Sequence, residues 1–232
     1  MFKVFIGTLL CKEESGFDEC LKTIRAQKNI QITHNLIKDL SERDGYHQQT
    51  RDWLNVQQNF DFFITIDPDM TLLHENVIYD ICTRMQQNKI NFLQYGLHDY
   101  LSNTQIFGLN TFDNTINFHL QNDNLSPEKN YTITPDTTYV YDVTIKGYHM
   151  MYCNDLQAFH YGVHRGLKQQ TFLLKRIKKL YEIYKDDKRR LYAIQGFIKS
   201  NLFDKEKTNF NYQSPELLEQ FKITKDLISK IK

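Results

Sequence analysis

"DFFITIDPDM", residues 61–70, runs five hydrophobic or β-favouring residues straight into two carboxylates that flank a proline. The run predicts a short buried strand, and the acidic pair marks its C-terminal end. A chain that needed only a turn could use Asn-Gly or Pro-Gly there. Asp67 and Asp69 instead stand side by side, and paired carboxylate oxygens suit hard cations.

Upstream, "KVFIGTLL" reads as a first buried strand, bounded by the polar "CKEES", where Ser15 is expected to cap the next helix. Phe17, Cys20, Leu21 and Ile24 recur at helical spacing and predict a helix ending near Gln27. "IQITHNLIKDL" alternates like a second strand, and a helix through "YHQQTRDWLNVQQN" leads into the strand before Asp67. Beyond it, Thr71 is expected to cap a helix whose Val77, Ile78, Ile81 and Met85 share a face, followed by the strand "INFLQYG". Strands alternating with helices imply βαβ units, a parallel sheet and ligand binding at the strands' C-terminal ends.

The middle of the chain changes character. "TQIFGLNTFDNTINFHLQ" reads as an antiparallel hairpin turning near Asp113 and Asn114, and "TTYVYDVTIKGYHMMYC" as another pair of strands. From Gly166 the pattern is helical, with two amphipathic helices broken at "KDDK" and a lysine-rich end after Lys205 that reads as partly disordered. The expected fold class is α/β, with a mostly parallel central sheet flanked by helices, a small antiparallel region and C-terminal helices. The expected domains are 1–165, divided into halves 1–95 and 96–165, and a helical extension over 166–232.

A chain of 232 residues with 41% hydrophobic content can bury a full core. Its net charge of +1 provides no basic field for nucleic acid, so a small-molecule partner is expected. Cys11, Cys20, Cys82 and Cys153 are scattered without a CxxC pair, which points to neither a zinc knuckle nor a disulfide framework, and to a reduced, cytoplasmic setting. No apolar run approaches the length of a membrane span, and no cleavable leader is recognisable.

The first ninety residues resemble the nucleotide-binding half of family 2 glycosyltransferases, which have the GT-A fold. The elements that carry the resemblance are "IGTLLCKEE", "CLKTIRAQ", Asp39 in "LIKDLSERDG", Arg51 in "TRDW" and the Asp67-x-Asp69 motif. Arg51 precedes Asp67 by sixteen residues, the interval found in the family. The resemblance fades beyond residue 90, where neither a Glu-Asp acid pair nor a Gln-x-x-Arg-Trp signature is present.

The resemblance implies transfer of a sugar from a nucleotide diphosphate sugar, with a UDP-sugar expected, to a hydroxyl of a saccharide or lipid-linked acceptor. It places Thr8, Glu13, Asp39, Arg51 and Asp67 at the nucleotide and Asp69 on a divalent ion, manganese or magnesium, with Asp67 on ribose or on the ion through water. Charge that develops on a departing diphosphate calls for such a cation and for basic side chains. In this family a downstream histidine often completes the metal shell, and "AFHYGVHRGLK" offers His164, favoured over His160, with Arg165 and Lys168 to neutralise phosphate oxygens. In that stretch Gly162 reads as a sharp turn and Gly166 as a close backbone approach.

An inverting transferase also needs a carboxylate to deprotonate its acceptor. Asp142 is the first candidate, with Asp136 and Asp155 as rivals, and each can equally be a loop or strand-end hydrogen-bonding group. "LLKRIKKLYEIYKDDKRR" can bind anionic lipid head groups at the inner face of a membrane, or be a solvated helical face interrupted by Glu182, Asp186 and Asp187. Two other readings stay open. A sugar-phosphate nucleotidyltransferase would normally carry a basic glycine-rich loop after the first strand, which "GTLLCKEESG" lacks; a non-catalytic sugar-nucleotide-binding protein is separated from an enzyme only by turnover.

Overall fold

The computed structural model describes residues 1–10, 14–40, 42–116, 118, 137–168, 179, 182–183, 187–203 and 214–230. They form two compact units, one comprising Met1–Lys12, Gly16–His98 and Gln105–His149, the other Glu13–Ser15, Asp99–Thr104 and Met150–Lys232.

The first unit is built on a seven-stranded sheet of β1 (Phe2–Leu10), β2 (Ile30–Lys38), β3 (Phe62–Thr65), β4 (Met70–Leu72), β5 (Phe92–Asp99), β6 (Thr104–Asp113) and β7 (Tyr139–His149). The spatial order is β2-β1-β3-β6-β5-β7-β4. β1 pairs parallel to β2, with Phe2 opposite Ile30, and parallel to β3, with Val4 opposite Phe62. β6 then pairs antiparallel to β3, and β4 antiparallel to β7. The architecture is mixed α/β and consistent with a Rossmann-like layer, but the sheet is mixed where a mostly parallel one was expected. Only Tyr100 to Asn103 separate β5 from β6, too few residues for the crossover that a parallel neighbour requires.

Both faces of the sheet are covered by helices that the hydrophobic periodicity predicts. Val4, Ile6, Ile64 and Ile66 pack with Cys20 and Ile24 of α1 (Phe17–Arg25) and with Val77, Ile78, Ile81 and Met85 of α3 (Val77–Asn88). On the other face, Phe5, Phe63, Phe92 and Phe112 surround Trp53 of α2 (Glu42–Val56), whose ring stacks on Phe63 at 5.1 Å. Trp53 is fully buried, the ordinary place for a large aromatic side chain. Gly45 of α2 lies against Leu9, and a Cβ there would come within 2.2 Å of that side chain.

The second unit packs α4 (Asp155–Leu167), α5 (Lys188–Lys199) and α6 (Pro215–Ile228) around Phe159, Val163, Tyr192 and Leu217. α4 and α5 touch backbone to backbone. A Cβ on Gly162 would lie 1.9 Å from the Ala193 carbonyl oxygen, and one on Gly196 2.1 Å from that of Phe159. Asp187 caps α5, its side chain accepting from the Arg190 N–H, so a helix does restart at "KDDK".

Several local expectations change. Ser15 does not cap α1, whose N-cap is Gly16; its hydroxyl bonds the Tyr152 carbonyl and Gln157. Thr71 lies within β4, and α3 starts only at Val77, because the chain first spends three residues pairing with β7. Residues 139–149 form one strand rather than a pair, and β6 ends at Asp113, where the expected turn begins; most of the expected return strand lies outside the described residues. Helix α6 occupies part of the tail read as disordered, with Ser214 capping it and Pro215 in its first turn. Most of the basic stretch 173–186 lies outside the described residues. Among the described residues no helix is long and apolar enough to cross a membrane.

Candidate functional site

β3 ends by handing its hydrogen bonding to a tight turn. The Ile66 N–H still donates to the Gly7 carbonyl at 3.1 Å, and the Met70 N–H then closes back on the Asp67 carbonyl at 3.0 Å. Pro68 occupies the second position of this turn, where its fixed φ is favourable, and Asp69 the third. β4 begins at once, and its antiparallel register sets Met70 opposite His149. One imidazole nitrogen, His149 Nε2, therefore lies 3.3 Å from Asp69 Oδ2. Both side chains are largely buried, His149 at 10% and Asp69 at 16% exposure. Asp69 Oδ1 is fully buried and, among the described residues, accepts no hydrogen bond.

A buried carboxylate oxygen without a donor is rare in folded proteins and calls for an explanation. A cation is a fitting one, since Oδ1, Oδ2 and an imidazole nitrogen are all metal-donor atoms. Among the described residues, however, no three His, Cys, Asp or Glu side chains already stand close enough together to hold an ion. The family resemblance points to a histidine in "AFHYGVHRGLK" and not to His149. The signal that could have found it is its position at the end of a strand, the same kind of position that singled out Asp67.

Thr8 and Asp39 lie towards the same ends of the parallel strands, since Leu10 of β1 pairs with Lys38 of β2 and Gly7 with Thr65 of β3. Asp39 follows β2 directly, is exposed, and adopts a left-handed φ of 59° with its N–H on the Leu10 carbonyl at 3.3 Å. Thr8 is completely buried, and its hydroxyl is 3.0 Å from His34 Nε2. Burial, reinforced by the charge of Arg25, lowers the His34 pKa and favours its neutral form. Arg51 stands on an exposed position of α2. Glu13 lies outside the described residues.

The downstream candidates have a different setting. "AFHYGVHRGLK" is not a strand-to-helix turn; all but its last residue belong to α4, and Gly162 serves the close packing on α5 instead of a reversal. Gly166 does make a close approach, to Ser200. His160 and His164, one helical turn apart, have ring centroids separated by 6.1 Å, and Arg165 lies over the Tyr161 ring at 4.9 Å. Burial first, then the charges of Lys168, His160 and Arg165, push the His164 pKa down to about 3.

Asp142 is buried in β7, paired with Arg84 and accepting the Thr144 N–H at 2.7 Å. Both of its oxygens are thereby engaged in holding the strand. Asp155 stands in the first turn of α4, which Asn154 and Gln157 close with a reciprocal capping box. Asp136 lies outside the described residues.

The fold and this edge define a mixed α/β protein whose parallel strands end in an acidic loop faced by an imidazole. No protein-family model matches the chain, and no curated protein sequence matches it. Among solved structures it is similar to S. aureus TarS, at 10% identity over 86% of this chain and 43% of that one, with a TM-score of 0.42. It is also similar to the 1–349 portion of TarS, at 11% identity over 96% of this chain and 78% of that one (TM-score 0.43), and to A197 from STIV, at 9% identity over 49% and 65% (TM-score 0.33). The chain thus spans less than half the length of the first of these.

Proposed function

We propose that the chain is a metal-dependent glycosyltransferase of GT-A type, whose first unit binds a nucleotide diphosphate sugar, a UDP-sugar by the family resemblance. The observation that carries this reading is the buried Asp69 Oδ1, without a partner among the described residues, beside His149 at the C-terminal end of β3. Asp69 and His149 would hold a divalent cation, manganese or magnesium, with Asp67 acting directly or through water. His149 takes the part first sought at His164 or His160. When bound, the ion would supply positive charge against the departing diphosphate.

The chain's own groups do the rest. Asp39 is free to accept from the nucleoside from its exposed position, and Arg51 contributes positive charge by analogy with the family. Thr8 is better suited to fixing His34 and the β1–β2 edge than to touching the nucleotide, because its hydroxyl is already engaged inside. Of the carboxylates considered for acceptor deprotonation, Asp142 is tied to Arg84. The acceptor is a saccharide or lipid-linked hydroxyl.

A thermal-shift panel of nucleotide diphosphate sugars, each with and without Mn²⁺, tests this reading. A ligand that binds only the folded state raises its melting temperature by mass action. Stabilisation by one donor that requires Mn²⁺ and disappears in His149→Ala is the expected result. Equal stabilisation with and without metal, or none by any donor, overturns it.

A further inference from the structure

The segment Asp67–Leu72, which carries Asp69, is gripped at both ends by one turn of α1. At its start, the Cys20 thiol donates to the Asp67 carbonyl, Sγ to O 3.6 Å. At its end, the Leu72 N–H donates to Thr23 Oγ1 at 3.2 Å, and the Thr23 hydroxyl donates onward to the Cys20 carbonyl at 2.8 Å. Cys20 and Thr23 are three residues apart, which places them on the same side of the helix.

The position of β4 explains why the second grip is needed. β4 is the last strand in the sheet order, so among the described residues only one of its edges has a neighbouring strand. On that edge the chain pairs with β7, as in the Leu73 N–H to Lys146 carbonyl bond at 3.0 Å. The Leu72 N–H points the other way, and a buried backbone donor without an acceptor is costly. Thr23 supplies that acceptor. One turn further along, Gln27 continues the stripe: its amide nitrogen donates to the His74 carbonyl at 2.8 Å and its oxygen accepts the Ile78 N–H at 3.0 Å.

We infer that Thr23, with Cys20, is a positioning residue of the cation site: α1 clamps the Asp67–Leu72 segment and so holds Asp69 against His149. This rests on the proposed metal-dependent reading. Asp69 lies between the two grips, and its neighbour Met70 is the residue paired with His149. Slack at Leu72 is therefore transmitted to the Asp69 carboxylate, although Thr23 itself touches no ligand. Residues that orient metal ligands in this way commonly alter metal affinity by about 10- to 100-fold when removed.

The experiment compares Thr23→Val, which keeps the shape and removes the hydroxyl, with Thr23→Ser, which keeps the hydroxyl. Mn²⁺ affinity of the whole chain is measured by titration against the signal of free Mn²⁺ in electron paramagnetic resonance, and the Leu72 amide is followed by hydrogen exchange. Thr23→Val should weaken Mn²⁺ binding about tenfold and speed exchange at Leu72, while Thr23→Ser stays within about twofold of the native protein in both. Native Mn²⁺ affinity in Thr23→Val overturns the positioning role. If the native chain binds no Mn²⁺, the functional reading above falls instead, and exchange at Leu72 then judges the clamp: unchanged protection in Thr23→Val overturns it as well.

Discussion

Asp69→Ala should make the metal-free protein more stable and the metal-loaded one less stable than the native chain. An acceptor buried without a partner costs about 1–3 kcal/mol, and Asp69 Oδ1 is such an atom. Against this stands the contact of Oδ2 with His149 at 3.3 Å, which offsets part of that cost. The net gain is about 1–2 kcal/mol, or about 2–8 °C in melting temperature for a chain of this size. In the native protein, Mn²⁺ at a hundred times its dissociation constant adds about 2.7 kcal/mol, about 5–11 °C, and the variant loses that increment entirely. Differential scanning calorimetry with and without Mn²⁺ therefore yields two pairs of curves that cross in order. A variant that melts below the native chain in both conditions shows the carboxylate to be structural and refutes the argument.

Three other outcomes are expected. Gly162→Ala forces the Ala193 carbonyl away from a Cβ that would sit 1.9 Å from it, so α4 and α5 must separate; the second unit should lose roughly 2 kcal/mol or more in urea unfolding, and native stability would refute the close packing. Asp39→Asn retains a side chain that tolerates the left-handed φ of 59°, so it should weaken nucleoside diphosphate binding at least several-fold in calorimetry while leaving the melting temperature unchanged. His164, whose pKa lies at about 3 in the folded chain and near 6.5 when unfolded, binds its proton more readily in the unfolded state. It therefore has no effect on stability above about pH 6.5 and costs progressively more as the pH falls from there towards 3. His164→Gln should flatten that part of the acid limb of the stability profile, and an identical acid limb would show that other groups set it.

The local signals for the elements that make the site edge were plain in the chain. β1, β2, β3 and β5 are short β-branched and aromatic runs, α1 and α3 repeat their apolar residues at helical spacing, and each of these patterns reports on neighbours a few residues away. Asp67-Pro68-Asp69 was legible for the same reason, as turn chemistry directly after a buried run. The antiparallel insertion of β6 was not, because strand order depends on which edge a returning strand can reach and not on its own pattern. Nor could the helix-long reach of "AFHYGVHRGLK" be told from a turn, since its glycines are explained only by the carbonyls of α5 packed against them.

The partner of Asp69 is the clearest case of what tertiary structure alone decided. β4 is three residues long and has no periodicity to recognise, yet its register with β7 sets His149 beside a carboxylate far away in the chain. Asp142, equally acidic but lying within β7, is taken up by Arg84 of α3. Sequence by itself determined which residues could carry charge or donate a lone pair at the edge of this sheet. Which of those groups were left buried without a partner was decided by long-range strand pairing, because a carboxylate's chemistry is set by what folding places within about 3 Å of its oxygens.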